Sequence, residues 1–138
     1  MSGEVAITRT VLGSGPRGSE DPNSPFSSSQ LARLDEALTL SSLESGLPFS
    51  VYVGDLAVPT RGSAEELFTK LTDESVLVAV SPAQRCLHIV TGPKSALRLP
   101  NRSCALAALA MRAAFANGDL VGGIVNGLRM LADGAGHA

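Results

Sequence analysis

The spacing of apolar and polar positions divides most of the chain into seven regular segments. Leu31, Leu34 and Leu38 recur at helical spacing with Ala37 beside them, while Arg33, Asp35 and Glu36 take the other face. Ser28 or Ser29 can cap this helix, which runs into Leu43 and stops at Gly46. Residues 49–54, FSVYVG, are rich in β-branched and aromatic residues and follow a proline, which predicts a strand with Asp55 at its exit. After a loop at 59–62, Ser63 can cap a second helix, with Glu65 and Glu66 in its first turn and Leu67, Phe68 and Leu71 as its apolar side. Residues 75–80, SVLVAV, form a continuous apolar run, as expected of a central strand covered on both faces. A turn at 81–84 leads into a strand over 86–90, antiparallel to the one before it. Beyond Thr91-Gly92-Pro93 the pattern is helical. Asn101 or Ser103 caps a helix to about Ala116, and Asn117-Gly118 ends it. Asp119 caps a last helix with Leu120, Ile124, Leu128 and Leu131 on one stripe. Gly123 and Gly127, four apart, permit close approach of another element. The order helix–strand–helix–strand–strand–helix–helix predicts an α/β fold, a small three-layer α/β/α sandwich around a mixed sheet.

The first 29 residues break this regularity. They hold four Gly, three Pro and seven Ser, too little apolar surface to offset the entropy of ordering. Residues 1–27 therefore read as a flexible segment, with a short edge strand at Val5-Ala6-Ile7-Thr8 and Val11-Leu12. The domain proper spans 28–133, and 134–138 form a tail. A length of 138 residues and a hydrophobic content of 44% suit one domain with one core. The N-terminus lacks the basic start and apolar run of a signal peptide, and no apolar stretch reaches transmembrane length. The expected location is cytoplasmic.

Charge changes the picture more than composition does. The total is −2, which excludes the strongly basic balance of a nucleic-acid binder, and the absence of Trp argues against an aromatic stacking surface. The distribution is uneven. Residues 1–74 carry 11 acids and five bases, whereas 75–118 carry five bases and no acid: Arg85, Lys94, Arg98, Arg102 and Arg112. Lys94, Arg98 and Arg102 flank one loop that leads to a helix N-terminus, where free N–H groups favour anions. Three readings stand: a solvated face balancing the acidic half, an anion site, or a basic face for an acidic partner or membrane surface. Residues 104–111, CALAALAM, are apolar nearly all round, so this helix is either packed on several sides or a surface for self-association or a partner.

Other candidate chemistry is weak. Cys86 and Cys104 fit no zinc or redox spacing and read as structural thiols. His88 has no Gly-x-Ser-x-Gly companion and reads as a structural or surface histidine. The glycine-rich run 13–18 and the 91–95 segment lack the parts of a P-loop. Asn101-Arg102-Ser103 matches a glycosylation sequon, but helix capping suits it better.

The strand FSVYVGDL, the pair VLVAVSPAQRCLHIVTG and the C-terminal FANGDLVGGIVNGLRML together resemble the TPM domain, a Rossmann-like module, and most closely its actinobacterial DUF5130 relatives. The resemblance covers roughly residues 28–133 and argues for fold more than for function. It implies divalent-cation binding, and phosphatase activity by analogy with a plant thylakoid member. The acidic position before the helix after the Thr-Gly strand is held here by Asn101, and the one near the last helix by Asp119. Asn101, Asp119 and Asp55 are thus weak metal candidates, for calcium or magnesium, because hard cations need several charged oxygens.

These readings predict a non-enzymatic binding or adaptor module without a resident cofactor. Its partner is an unidentified protein or anionic ligand, with Lys94, Arg98 and Arg102 as anion contacts and the 104–116 helix as a self-association surface. The alternative is a metal-assisted phosphatase using Asp55 and Asp119, which requires those carboxylates and the basic loop to converge.

Overall fold

A computed structural model of the chain describes residues 11–12 and 26–136. Val11–Leu12 (β1), Phe49–Val53 (β2), Val76–Ser81 (β3) and Cys86–Thr91 (β4) form one sheet in the order β1-β2-β3-β4. The first three strands are parallel, and β4 runs antiparallel to β3, pairing Val78 with Ile89. Five helices complete the fold: Ser28–Ser45 (α1), Thr60–Phe68 (α2), Ser95–Arg98 (α3), Asn101–Ala116 (α4) and Leu120–Ala135 (α5).

Two apolar layers follow from the period of two along β2 and β3. Phe49, Val51 and Val53 of β2, with Val76, Val78 and Val80 of β3, face Leu34 and Leu38 of α1, Met111 of α4 and Ile124, Leu128 and Leu131 of α5. Tyr52, Leu77 and Ala79 face the opposite way, onto Ala64 and Leu67 of α2. This is the three-layer sandwich expected, with helices on both sides of a mixed sheet. Full burial of side chains such as Leu34, Ile124 and Leu128 stabilises the fold by about 1.5–3 kcal/mol each.

α5 packs against both α1 and α4. The close approach permitted by its glycines is made to α4: a Cβ at Gly123 would stand 2.7 Å from Phe115, and one at Gly127 2.5 Å from Met111. At the far end a Cβ at Gly134 would stand 2.7 Å from Ser103 Oγ, so the two helices run antiparallel.

The ends of the elements differ in places from expectation. α1 is capped one residue earlier, by Ser27, which accepts from the Gln30 N–H while its own N–H donates to Gln30 Oε1. Gly46 closes it in the left-handed region, φ 78°. α2 begins at Thr60 behind Pro59, not at Ser63, and its first hydroxyl turns to His88 instead of capping. α4 begins behind Pro100, so neither Asn101 nor Ser103 caps it, and Ser103 lies against α5. Asp119 does cap α5, accepting from the Gly122 N–H at 2.9 Å. The single turn α3 falls where only a loop was expected; buried Ser95 donates to the Ser75 carbonyl at 2.7 Å and fastens it beneath β3. Val11–Leu12 pairs with β2 as an edge, while the readings at Val5–Thr8 and over most of 1–27 lie outside the described residues.

Candidate functional site

The topology assigns each candidate residue to one end of the sheet. Asp55 follows the C-terminal end of β2, on a loop fastened from both sides. The Tyr52 hydroxyl donates to the Asp55 carbonyl at 2.7 Å. The Leu56 N–H donates to Gln84 Oε1, and Gln84 Nε2 donates back to the Leu56 carbonyl, each at 2.8 Å. These bonds hold the backbone and leave the Asp55 side chain exposed. Asp119 sits at the turn between α4 and α5, and its carboxylate is occupied as the α5 cap.

The basic loop lies at the other end. The N–H groups of Lys94 and Ser95 both donate to the Asp73 carbonyl at 3.1 Å, which places the loop beside the entry to β3. Gly92 is required there, because a Cβ would come within 2.4 Å of the Asp73 carbonyl oxygen. Arg98 Nη2 donates to the carbonyls of Ala135 at 3.0 Å and Gly136 at 3.2 Å, so its charge serves the C-terminus of α5. Lys94, Asn101 and Arg102 are exposed around the same end. The 16 residues of α4, about 24 Å of helix, separate Asn101 and Arg102 from the turn holding Asp119. The convergence required for a phosphatase is therefore not made: Asp55 and Asp119 stand at one end, and Lys94, Arg98, Arg102 and Asn101 at the other. No three His, Cys, Asp or Glu side chains meet among the described residues.

A second cluster escaped sequence reasoning because its members are remote in the chain. Thr60 Oγ1 and His88 Nε2 share a hydrogen bond of 2.9 Å, and Arg61 Nη1 donates to the Ile89 carbonyl on the outer edge of β4 at 3.2 Å. Burial, with the guanidiniums of Arg61 and Arg112, holds His88 below its ordinary pKa of 6.5, so it is neutral at pH 7. Burial pushes the Cys104 thiol up, against a smaller opposing effect of Arg61, consistent with an inert structural cysteine. The Arg61–Glu65 pair, 3.1 Å long, is exposed and contributes little to stability.

Besides Leu97 on α3, 85% exposed, the acid-free segment exposes a pair of leucines on the outer side of α4. Ala107 and Met111 are buried, whereas Leu106 and Leu109 are 52% and 65% exposed. Arg102, Leu106, Leu109 and Ala113 recur at spacings of four, three and four, which aligns them along one side of the helix. Arg112 is exposed beside this stripe. Of the two readings left open by the sequence, packing on several sides or a surface, α4 combines a covered side against α5 and an open one.

Known proteins bear on this arrangement at two levels. A solution structure of the N-terminal domain of a protein from P. gingivalis superposes with a TM-score of 0.73 over 92% of this chain and 82% of its own, at 16% identity. The BA42 protein of Bizionia argentinensis matches with a TM-score of 0.71 over 83% of this chain and 84% of its own, at 14% identity. At such identities the likeness concerns the fold. In sequence, the uncharacterised protein Rv2468c of Mycobacterium tuberculosis is 37% identical over 112 residues, covering 80% of this chain and 67% of the relative. The domain of unknown function DUF5130 matches residues 3–132, nearly the whole chain, and the chain belongs to the DUF5130 family.

Proposed function

We propose that this domain is a non-enzymatic binding module whose contact surface is the outer side of α4. The carrying observation is the exposed stripe Arg102–Leu106–Leu109–Ala113, flanked by Arg112, in a segment free of acidic residues. Exposed leucines on a regular helix cost solvation that contact with a partner would recover. Two arginines beside them favour a partner of opposite charge. The natural occupant is an acidic amphipathic helix that presents leucines at i and i+3 with glutamates beside them. The separation of Asp55 and Asp119 from the basic loop counts against the phosphatase alternative, because no substrate phosphate could reach both ends at once.

The test is a fluorescence-anisotropy titration with a labelled synthetic helix of that composition. Saturable binding that weakens at least tenfold in Leu106→Gln/Leu109→Gln supports the assignment. Binding that is absent, or indifferent to both leucines, refutes it. Magnesium-dependent hydrolysis of an aryl phosphate that disappears in Asp55→Asn or Asp119→Asn would return the domain to the enzymes.

A further inference from the structure

Resting on the assignment of α4 as the contact surface, we propose that its partner is α1 of a second copy of this chain. α1 carries a second exposed leucine pair, Leu40 at 50% and Leu43 at 71% exposure. Its charge is opposite to that of α4. Glu36 and Glu44 are exposed on the same side of α1 as Leu40 and Leu43. The spacing is shared as well: Glu36–Leu40–Leu43 repeats Arg102–Leu106–Leu109, each with a charge four residues before the first leucine and the second leucine three further on. Among the described residues, none of Glu36, Glu44, Arg102 and Arg112 makes an ion pair.

The helices have the directions this pairing needs. α1 runs towards the entry of β2, and α4 runs the opposite way from its start beside the entry of β3. Two copies in the same orientation therefore bring α1 of one antiparallel to α4 of the next. Setting Leu40 against Leu109 and Leu43 against Leu106 then brings Glu36 beside Arg112 and Glu44 within one turn of Arg102. Arg33, the base on the α1 stripe, falls towards the carbonyl end of α4 and the Asp119 that follows it. Glu44 near the C-terminus of α1 and Arg102 in the first turn of α4 each oppose the dipole of their own helix. Pairing across copies offsets both.

Each copy carries both stripes, so the contact closes as a two-fold dimer where both stripes meet one partner and propagates head to tail where they meet two. A pair of leucines per face is a small interface, and the expected association is weak, concentration-dependent and weakened by salt.

Analytical ultracentrifugation of the full chain over a wide concentration range tests this. The weight-average mass should rise above the monomer value with concentration and fall back as salt is raised. Arg102→Glu/Arg112→Glu removes one face and Glu36→Arg/Glu44→Arg the other, so each variant alone should remain monomeric. Circular dichroism checks that both fold, and Leu40→Gln/Leu43→Gln serves as a second, uncharged disruption of the α1 face. An equimolar mixture of the two charge variants sets intact α1 against intact α4 and reversed α4 against reversed α1, both of complementary charge, and should regain the concentration-dependent assembly of the wild type. A wild type that stays monomeric throughout, variants that assemble like the wild type, or a mixture that stays monomeric overturns the proposal. Saturable binding of the synthetic acidic helix in the same preparation would leave the α4 surface standing while removing the second copy as its occupant.

Discussion

The contact between α4 and α5 gives one chemical change opposite signs at two sites. Gly127 lies in the interior of α5, where replacement by alanine should gain about 1 kcal/mol from helix propensity. A Cβ there, however, would stand 2.5 Å from Met111 Sδ and 2.6 Å from its Cγ, and Met111 is fully buried. Overpacking of this kind costs about 1–3 kcal/mol, so Gly127→Ala should destabilise by about 1 kcal/mol net. Gly62 in α2 is exposed, and its Cβ would meet only Pro59, at 3.6 Å. Gly62→Ala should therefore stabilise, by up to about 1 kcal/mol. Urea denaturation with unchanged slope reads both. Met111→Ala costs stability by itself but opens the space that Gly127→Ala needs, so the double variant should be more stable than the sum of the singles. Gly127→Ala at or above wild-type stability, or strict additivity with Met111→Ala, would refute the close-packing account.

Three further outcomes follow from single groups. Ser50→Ala should raise stability by about 1 kcal/mol in urea melts, because the Ser50 hydroxyl is buried in β2 without a hydrogen-bond partner. His88 is held below its ordinary pKa of 6.5, so the unfolded chain takes up its proton first as pH falls; stability from this group is full above 6.5 and declines below it. The loss between pH 7.5 and 5.5 should be smaller in His88→Gln. Asn101→Asp places a carboxylate in the first turn of α4 and should stabilise by about 0.3–1 kcal/mol without added calcium, since Asp55 and Asp119 lie at the other end of the fold. A calcium-dependent rise in the melting temperature of that variant would show a cage the fold does not suggest.

Periodicity carried what lies along one element, and contact between elements decided the rest. Leu34 and Leu38 are buried and Leu31 packs partly against them, and 76–81 pairs with 86–91, because a stripe or an unbroken apolar run states its own burial. The caps were less legible: serines at 27, 28 and 29 are chemically equal, and only the reach of Gln30 selects Ser27. Thr60 and His88 are 28 residues apart and Arg98 is 37 from the carbonyl it serves, so no local pattern could join them. The basic residues at 94, 98 and 102 looked like one site by their nearness in sequence; the packing assigns Arg98 to α5 and leaves Arg102 at the start of the α4 stripe. The helix at 104–116 posed the same problem in another form. Being apolar nearly all round, it has no stripe to say which side is covered, and the answer lay in another helix. Gly123 and Gly127 draw α5 onto the side of α4 that holds Met111, and that choice turns Leu106 and Leu109 outward. The glycines that close the core thereby also set the face that the domain offers to a partner.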